Sequence, residues 1–568
     1  MNKKLLILFV FIANAFFTTA QQFHTEKSKE FDEPEYGWNK LLQLKNGNTF
    51  FFHSTKKDGI EVTVYNKQRK QIASRTLESN LWDVRKMKQS KIVGLYEING
   101  EPVIFVMQAD GREPTLYRIR INPNTGSKVN ETVMGSLPKV SVFAGYAVVF
   151  GNVDIPDIIV EKDPNSDCYA VIYFDGFSHE TNQRIKVVHY DGNHKVLNTA
   201  FYDSPDGKYK YLRYIGSVVD GNKRVYIASY GYNGKADEDT DPSVIVSRIK
   251  VGETKFSHSL IKVSNDFNDT KSVMLYNHNT NQLQLMTVTF NKTALAGQAV
   301  WGSANFDYYH KREVACVTLL NYLDPETLAL ISVKPVIGMK VDAYGKQNID
   351  KDYEFDGVPQ NMVMNKDNTT TILMEDLAHI TQHSGGSYAG GHQGMGHTSI
   401  KTELGPAGIC ELSDGGDEIN GFAINKKQMA SGTLPMLYMA GRSKGLFAYP
   451  PSISNKSNNN EFLSYDYIYS DKGHYVIFND LPANAEKDED DEKRKAVTYV
   501  SKTNTMCYKL NNPKMDKFYL FGEPADNSST FCFIESSDYN KELNTYATMI
   551  IERDGKDKQA KIAWITFD

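Results

Sequence analysis

Residues 41–77 read LLQLKNGNTFFFHSTKKDGIEVTVYNKQRKQIASRTL. The apolar run Leu41-Leu42-Gln43-Leu44 gives way to Lys45-Asn46-Gly47-Asn48, and a second run extends from Thr49 to His53. Asp58-Gly59 then turns the chain into Ile60–Tyr65, where apolar and polar side chains alternate, and a fourth short stretch ends at Leu77. Asn-Gly and Asp-Gly supply the positive φ angles that tight hairpins require. A period of two places unlike side chains on the two faces of a sheet. Four antiparallel strands in about forty residues is the size of one β-propeller blade.

The unit recurs. Ile60-x-Val62-x-x-Tyr65-Asn66-x-x-x-Lys70 has a counterpart in Ile185-x-Val187-x-x-Tyr190-Asp191-x-x-x-Lys195. With one blade between the two, each unit takes about 62 residues, which accommodates loop insertions. Further units begin near Leu81, Lys139, Tyr209, Lys271, Val358, Phe462 and Phe518. The expectation is an all-β chain, a β-propeller of seven or eight blades of four antiparallel strands, occupying residues 38–568. The best helical candidate, Ala485 to Lys495, is mostly charge and has no apolar face to bury, so the alternating helices of an α/β enzyme are missing. The 33 Tyr and 29 Phe also favour packed sheets. The competing arrangement, two β-sandwich domains in tandem, would need a linker between halves, and no Pro- or Ser-rich stretch supplies one.

Residues 1–20 read as a cleavable signal for export. Lys3-Lys4 precede an apolar run from Leu5 to Ala13, Phe16 and Phe17 extend it, and Thr18 and Ala20 place small residues before a cut ahead of Gln21. A retained anchor would need about 20 consecutive apolar residues. Residues 21–37 form a polar lead-in to the propeller. The mature chain is therefore expected to be soluble, without a transmembrane segment, and periplasmic or extracellular; the mean hydropathy of -0.46 agrees. With 64 Lys+Arg against 69 Asp+Glu the net charge is -5, and loss of Lys3 and Lys4 would make the mature chain more acidic still. That balance excludes nucleic acid as a partner, because phosphate recognition needs clustered Lys and Arg. The 5 Cys (Cys168, Cys316, Cys410, Cys507 and Cys532) form no CxxC pair and read as buried thiols, with Cys507 and Cys532 the one conceivable disulfide.

Motifs that carry chemistry are few. Gly385-Gly386-Ser387-Tyr388-Ala389-Gly390-Gly391 is similar to the nucleophile elbow of serine carboxypeptidases and prolyl oligopeptidases, the latter also built with a propeller. An elbow needs a helix directly after its Ser, and the Gly-rich continuation His392-Gln393-Gly394-Met395-Gly396-His397 cannot start one, so Ser387 reads as part of a loop. The same region gathers His379, His383, His392 and His397, a candidate metal set, since imidazole is the commonest ligand for zinc or copper. It is not an HExxH helix, and polar loop filler is the alternative. Asp163-Pro164-Asn165-Ser166-Asp167 carries oxygen ligands at calcium-loop spacing, but Cys168 stands where the turn Gly belongs and Phe174 where a closing Glu belongs, and Asp237-Glu238-Asp239-Thr240-Asp241 is rich in carboxylates without a closing ligand. Both are expected to be solvated turns, and the acidic run Asp488 to Glu492 a solvated loop. Ser470-Asp471-Lys472-Gly473 departs from the Asp-box spacing of sialidases. No cofactor is indicated.

Asp203-Ser204-Pro205-Asp206-Gly207-Lys208-Tyr209 resembles the blade signature of TolB-type periplasmic propellers, although it occurs once here. Over most of its length the chain resembles uncharacterised secreted proteins of Bacteroidetes, in the end of its signal (Thr18 to Gln22), in Leu41–Leu77 and in Phe478-Asn479-Asp480-Leu481-Pro482. That resemblance implies export and a propeller, and no assigned activity. The functional expectation is a binding or scaffolding propeller of the cell envelope that engages a protein or a glycan through its loops. The alternatives are a glycan hydrolase using carboxylates at the channel mouth and metal binding through the histidine-rich loop.

Overall fold

The computed structural model describes residues 23–567, apart from 140–156, 234–241, 264–266, 292–298, 450–458, 486–493, positions 433 and 435, and parts of 176–180, 301–315 and 385–396. The chain forms an eight-bladed β-propeller of antiparallel four-stranded sheets. The innermost strands, one per blade in chain order, are Trp38–Gln43, Ser90–Ile98, Asp157–Lys162, Tyr211–Asp220, Phe267–Asn277, Val358–Met364, Asp466–Ser470 and Ser528–Cys532. The hairpin turns read from Asn-Gly and Asp-Gly are present, with Gly47 at φ 90° and Gly59 at φ 75°. Ile60 and Ile185 both sit on third strands, in blades 1 and 3, so the repeat and its period are confirmed. Blade starts near Tyr209, Lys271, Val358 and Phe462 fall within four residues of the observed inner strands. Lys139 precedes the third inner strand, Asp157–Lys162, and Phe518 lies on the outer strand of blade 7, Asp516–Tyr519. Alternation alone does not distinguish an outer strand from the next inner one.

Burial follows strand position. Second strands such as Tyr169–Phe174 and Arg224–Tyr232 are buried along their whole length, because a neighbouring blade covers each face. Outer strands such as Gln71–Thr76 are largely exposed. The core is accordingly a ring of layers between blades: Phe50, Val62 and Ile104 join blades 1 and 2, and Tyr475, Ile550 and Ile565 join blades 7 and 8.

The ring closes through the segment expected to be a polar lead-in. Phe23–Lys27 is a strand that pairs antiparallel with Asp557–Phe567, so blade 8 takes three strands from the C-terminal end and its outermost from the N-terminal end. Propeller structure thus starts at Phe23 rather than at 38. Five residues of mixed polarity, FHTEK, look like a lead-in because an outer strand has little apolar surface to bury. Trp564 on the paired strand is fully buried; its Nε1 donates to Thr49 Oγ1 (2.9 Å) and its ring meets Tyr65 edge-on at 5.4 Å, tying blade 8 to blade 1.

A helix at Met339–Asn348 was not anticipated. It lies against the outer strand of blade 6, Glu418–Ile424, with Tyr344 5.3 Å from Phe422. Only Val341, Tyr344 and Gly345 are buried, too short a stripe to register as helical periodicity. Cys168, Cys410, Cys507 and Cys532 are buried free thiols, so Cys507 and Cys532 form no disulfide. The Phe478–Pro482 motif is structural: Asn479 Nδ2 donates to the carbonyls of Phe462 (2.8 Å) and Cys532 (2.7 Å), and Asp480 Oδ1 accepts from Leu481 N (2.8 Å) and Asn484 Nδ2 (2.7 Å). No described helix is long and apolar enough to cross a membrane.

Two predictions follow from these contacts. Replacing Trp564 by Ala removes a fully buried ring from the closure layer and is expected to cost about 3–5 kcal/mol in urea unfolding; Trp564→Phe should cost less, and a loss below about 1 kcal/mol for the Ala variant would contradict this packing role. Burial pushes the Asp480 carboxyl up to about 6. The folded state then holds a proton that the unfolded state has released, so stability falls as pH rises from about 4 to 6. That part of the pH dependence should be absent in Asp480→Asn.

Candidate functional site

The inner strands enclose a cavity of about 710 Å³ in the central channel, lined from blades 1–6 and 8 and by residues 440–446. Two inner strands carry bulges that aim tyrosines at it. In blade 2 the register shifts between Ile92 and Gly94, and a Cβ on Gly94 would lie 2.4 Å from the Tyr96 ring, so only Gly lets that ring fold across the strand. Tyr96 OH donates to Val160 O at 3.0 Å. In blade 4 the shift lies between Tyr214 and Gly216, and Tyr214 OH is 2.7 Å from Ser217 Oγ. Burial, with the nearby Glu161 carboxylate adding to it, pushes both phenols above their ordinary range. They are neutral hydroxyls near pH 7, suited to hydrogen bonding and stacking.

The carboxylates beside them are paired. Asp157 accepts from Lys91 Nζ at 2.6 Å and Glu161 from Lys444 Nζ at 2.6 Å. Lys444 belongs to a segment that leaves blade 6 and enters the channel. Within it Tyr438–Arg442 is one short helical turn, Lys444 O accepts from Leu95 N (3.2 Å), and Phe447–Ala448 pairs with Lys91 and Ile92. The segment is a plug anchored on buried charge. Tyr438 OH donates to Glu375 Oε2 (2.5 Å), Ser464 Oγ to the same oxygen (3.0 Å), and Lys426 pairs with the other oxygen, with Lys426 and Glu375 both fully buried. Arg442 Nη2 donates to Asp466 Oδ1 (2.7 Å), whose Oδ2 accepts from Tyr546 OH (2.7 Å). Beneath these, Lys40 Nζ donates to the carbonyls of Ser537 (2.7 Å) and Glu535 (3.1 Å); burial lowers the Lys40 ammonium and raises the Glu535 and Asp538 carboxyls.

At the face where inner strands turn into second strands, Glu97, Asp167, Glu542, Lys45 and Lys162 line the mouth. Burial raises the Glu97 carboxyl, although Lys45 N–H donates to both its oxygens (3.1 and 3.2 Å). Burial lowers the Lys162 ammonium, which donates to the carbonyls of Ser166 (2.6 Å) and Asp163 (2.9 Å).

The Asp163–Asp167 turn is this mouth's hairpin and not the solvated turn expected. Asp163 is 1% exposed, and its carboxylate accepts from Asn165 N (2.9 Å), Ser166 Oγ (2.6 Å) and Gly221 N (2.9 Å), which satisfies it without an ion. His379 and His383 fall on the strand Thr370–Ser384. His397 starts the partner strand His397–Leu412, opposite Ser384, and His392 lies on His392–Gln393. The side chains of all four lie outside the described residues, as do Ser387, Asp237–Asp241 and Asp488–Glu492. Among the described residues no group of three His, Cys, Asp or Glu could hold a metal. Asp203–Tyr209 is the turn from blade 3 to blade 4, with Ser204 Oγ accepting from Tyr209 N at 2.9 Å.

Tyr96, Glu161, Tyr214 and Lys444 were not singled out from the sequence. The signal available was a charged residue closing an apolar inner strand, as in Ile158-Ile159-Val160-Glu161, and a Gly two residues from a Tyr in Gly94-Leu95-Tyr96 and Tyr214-Ile215-Gly216.

No family model and no curated protein matches the chain. Among solved structures, prolyl oligopeptidase B from Galerina marginata is 8% identical with a TM-score of 0.39, covering 94% of this chain and 56% of its own, so the chain spans little more than half of that enzyme. The polysaccharide lyase Uly1 is 9% identical with a TM-score of 0.31, over 84% of this chain and 90% of its own. The α-L-arabinanase of Cellvibrio cellulosa is 8% identical with a TM-score of 0.23, over 53% and 96%. None of these likenesses assigns a chemistry to this chain.

The plug's anchorage is testable. Arg442→Met leaves Asp466 without its cation and is expected to cost about 3 kcal/mol. Amide exchange should accelerate in residues 440–448 relative to the blades, and adding Asp466→Asn should recover part of the loss. Unchanged exchange there would mean that the pair does not hold the plug.

Proposed function

We propose that the protein is an exported binding propeller of the cell envelope that holds a glycan in its central channel. The observation that carries this reading is the pairing of the channel carboxylates. Asp157 and Glu161 face the cavity, yet each is engaged by a lysine at 2.6 Å, so the two act as halves of ion pairs that shape the channel wall rather than as free carboxylates aimed at a reacting group. Around them stand Tyr96, Tyr214, Ser217 and Ser272, whose hydroxyls and ring faces suit sugar hydroxyls and the apolar faces of pyranose rings. Export rests on residues 1–20 and on the resemblance to secreted proteins.

One observation favours the hydrolytic alternative. Glu97 at the channel mouth has its carboxyl raised by burial, with Asp167 and Glu542 adding to that, which is the condition of a general acid.

The test is equilibrium binding of the mature protein to a panel of soluble neutral and acidic oligosaccharides, with reducing ends assayed in parallel. Binding without cleavage is expected. Tyr96→Ala and Tyr214→Ala should each weaken it about tenfold, the equivalent of about 1.4 kcal/mol of lost contact. Cleavage that disappears in Glu97→Gln would replace the binding reading with the hydrolase. Binding of no member of the panel would remove both.

A further inference from the structure

We infer that the plug makes the channel blind, so that the ligand is the terminal stretch of a glycan, a free oligosaccharide or a chain end, entering from the Glu97 mouth; the interior of a long chain is excluded. The inference rests on the channel-binding reading and adds the form of the ligand and the direction from which it comes.

The plug crosses the ring on a diameter. It leaves blade 6 after Gln428–Ser431, which pairs with that blade's third strand, and it docks on blade 2 through Phe447–Ala448. Blades 6 and 2 stand opposite each other in a ring of eight, so the segment between them spans the channel. Beyond blade 2, Tyr449 OH donates to Ser54 O of blade 1. The approach to blade 2 is close: Gly445 has φ 71°, and a Cβ there would lie 3.3 Å from Leu95 Cβ.

The two sides of the plug face different spaces. Ala440, Ser443, Lys444 and Leu446 line the 710 Å³ channel cavity, whereas Leu437 lines a second cavity of about 540 Å³ with Arg213 and Lys271. Among the described residues no part of the plug lines both. Tyr214, Ile215 and Ser272 border both cavities, as a wall does where a partition meets it. Arg213 and Lys271 stand in the first halves of their inner strands, while Glu97 stands near the end of its own. The second cavity therefore lies at the end of the channel where inner strands begin, and the mouth at the end where they finish. On the side of blade 7, buried Met436, Phe462, Leu463 and Phe533 belong to one apolar layer, and that blade contributes no described residue to the channel cavity.

Sideways entry is closed as well. Apolar layers fill the gaps between successive blades all round the ring, and the pairing of Phe23–Lys27 with Asp557–Phe567 completes it. The interior of a long chain could then reach the channel wall only by threading, which the plug prevents. A terminus needs one entrance. The mouth provides it: Lys45 and Glu542 pair on its rim at 3.1 Å with both side chains largely exposed, and the turns from inner to second strands that surround it all lie among the described residues. A cavity of about 710 Å³ falls within the roughly 300–1,000 Å³ of sites that enclose small ligands, which is room for a short oligosaccharide.

The experiment is competition for the mature protein between a fluorescent oligosaccharide and dextran, laminarin or polygalacturonate, each offered as the polymer and as a partial hydrolysate of tenfold lower mean length. For whichever sugar binds, the hydrolysate should compete about tenfold better per gram, because it presents that many more ends; a polymer that does not compete at all marks the ligand as a free oligosaccharide. Equal competition per gram would overturn the blind channel and leave channel binding standing. Binding of none of the three sugars, with the protein folded, would overturn the channel reading and this one with it. The direction of entry is read from association rates. Lys541→Trp, which narrows the mouth, should slow association about tenfold or more, whereas Lys271→Trp in the second cavity should leave it unchanged, both with the wild-type circular dichroism spectrum. Association as fast in Lys541→Trp as in wild type, or slowed in Lys271→Trp, would overturn the assignment.

Discussion

A sheet of four strands with two apolar faces needs a neighbour on each side, and in a ring that requirement has to be met at the point where the chain begins and ends. Here the five backbone pairs from Phe23↔Phe567 to Lys27↔Ala563 meet it. They complete blade 8, which lets Trp564 stand buried against Tyr65 of blade 1. Without that closure blades 1 and 8 would each present an uncovered apolar face, a cost far above the few kcal/mol of net stability typical of a domain. The channel depends on it too, because inner strands converge on a common axis only when every blade is held at the angle its neighbours set.

The plug shows what convergence does for charge. Lys444 leaves blade 6 and meets Glu161 of blade 3, while its own carbonyl meets blade 2. Such contacts link parts of the ring distant in sequence, and they bring ions into a region with little water. Charges there are tolerated when each has a partner, and Lys426 with Glu375, Arg442 with Asp466, and Lys91 with Asp157 satisfy that rule. The same rule bears on recognition. Glu161 commits an oxygen to Lys444, so the geometry that makes the plug stable also engages a polar group that faces the cavity.

Local features were legible in the sequence and long-range ones were not. The hairpins of blade 1 were readable because Gly47 and Gly59 must adopt positive φ, and the strand faces because Ile60–Tyr65 alternates. The Ile60 and Ile185 correspondence carried the repeat, since both are third strands under the same packing demands. Phe23–Lys27 was missed because an outer strand needs no apolar pattern, and Met339–Asn348 because two large side chains cover its contact. The channel residues were illegible for a different reason. Glu161 and Lys444 differ from any surface Glu and Lys only in that the ring brings them together, and no spacing along the chain encodes that.

Charge compensation inside the channel bears on how a ligand would be selected on the proposed reading. Lys91 and Lys444 are each engaged by a carboxylate at 2.6 Å, so a ligand arriving there meets hydroxyls, ring faces and short-range complementarity rather than a net field. Opposite charges so close together lose most of their reach, because the field of a pair falls off faster than that of a single ion. Selection in the middle of the channel would therefore rest on shape and hydrogen bonding, with the Tyr96 and Tyr214 surfaces setting which ring faces can be held.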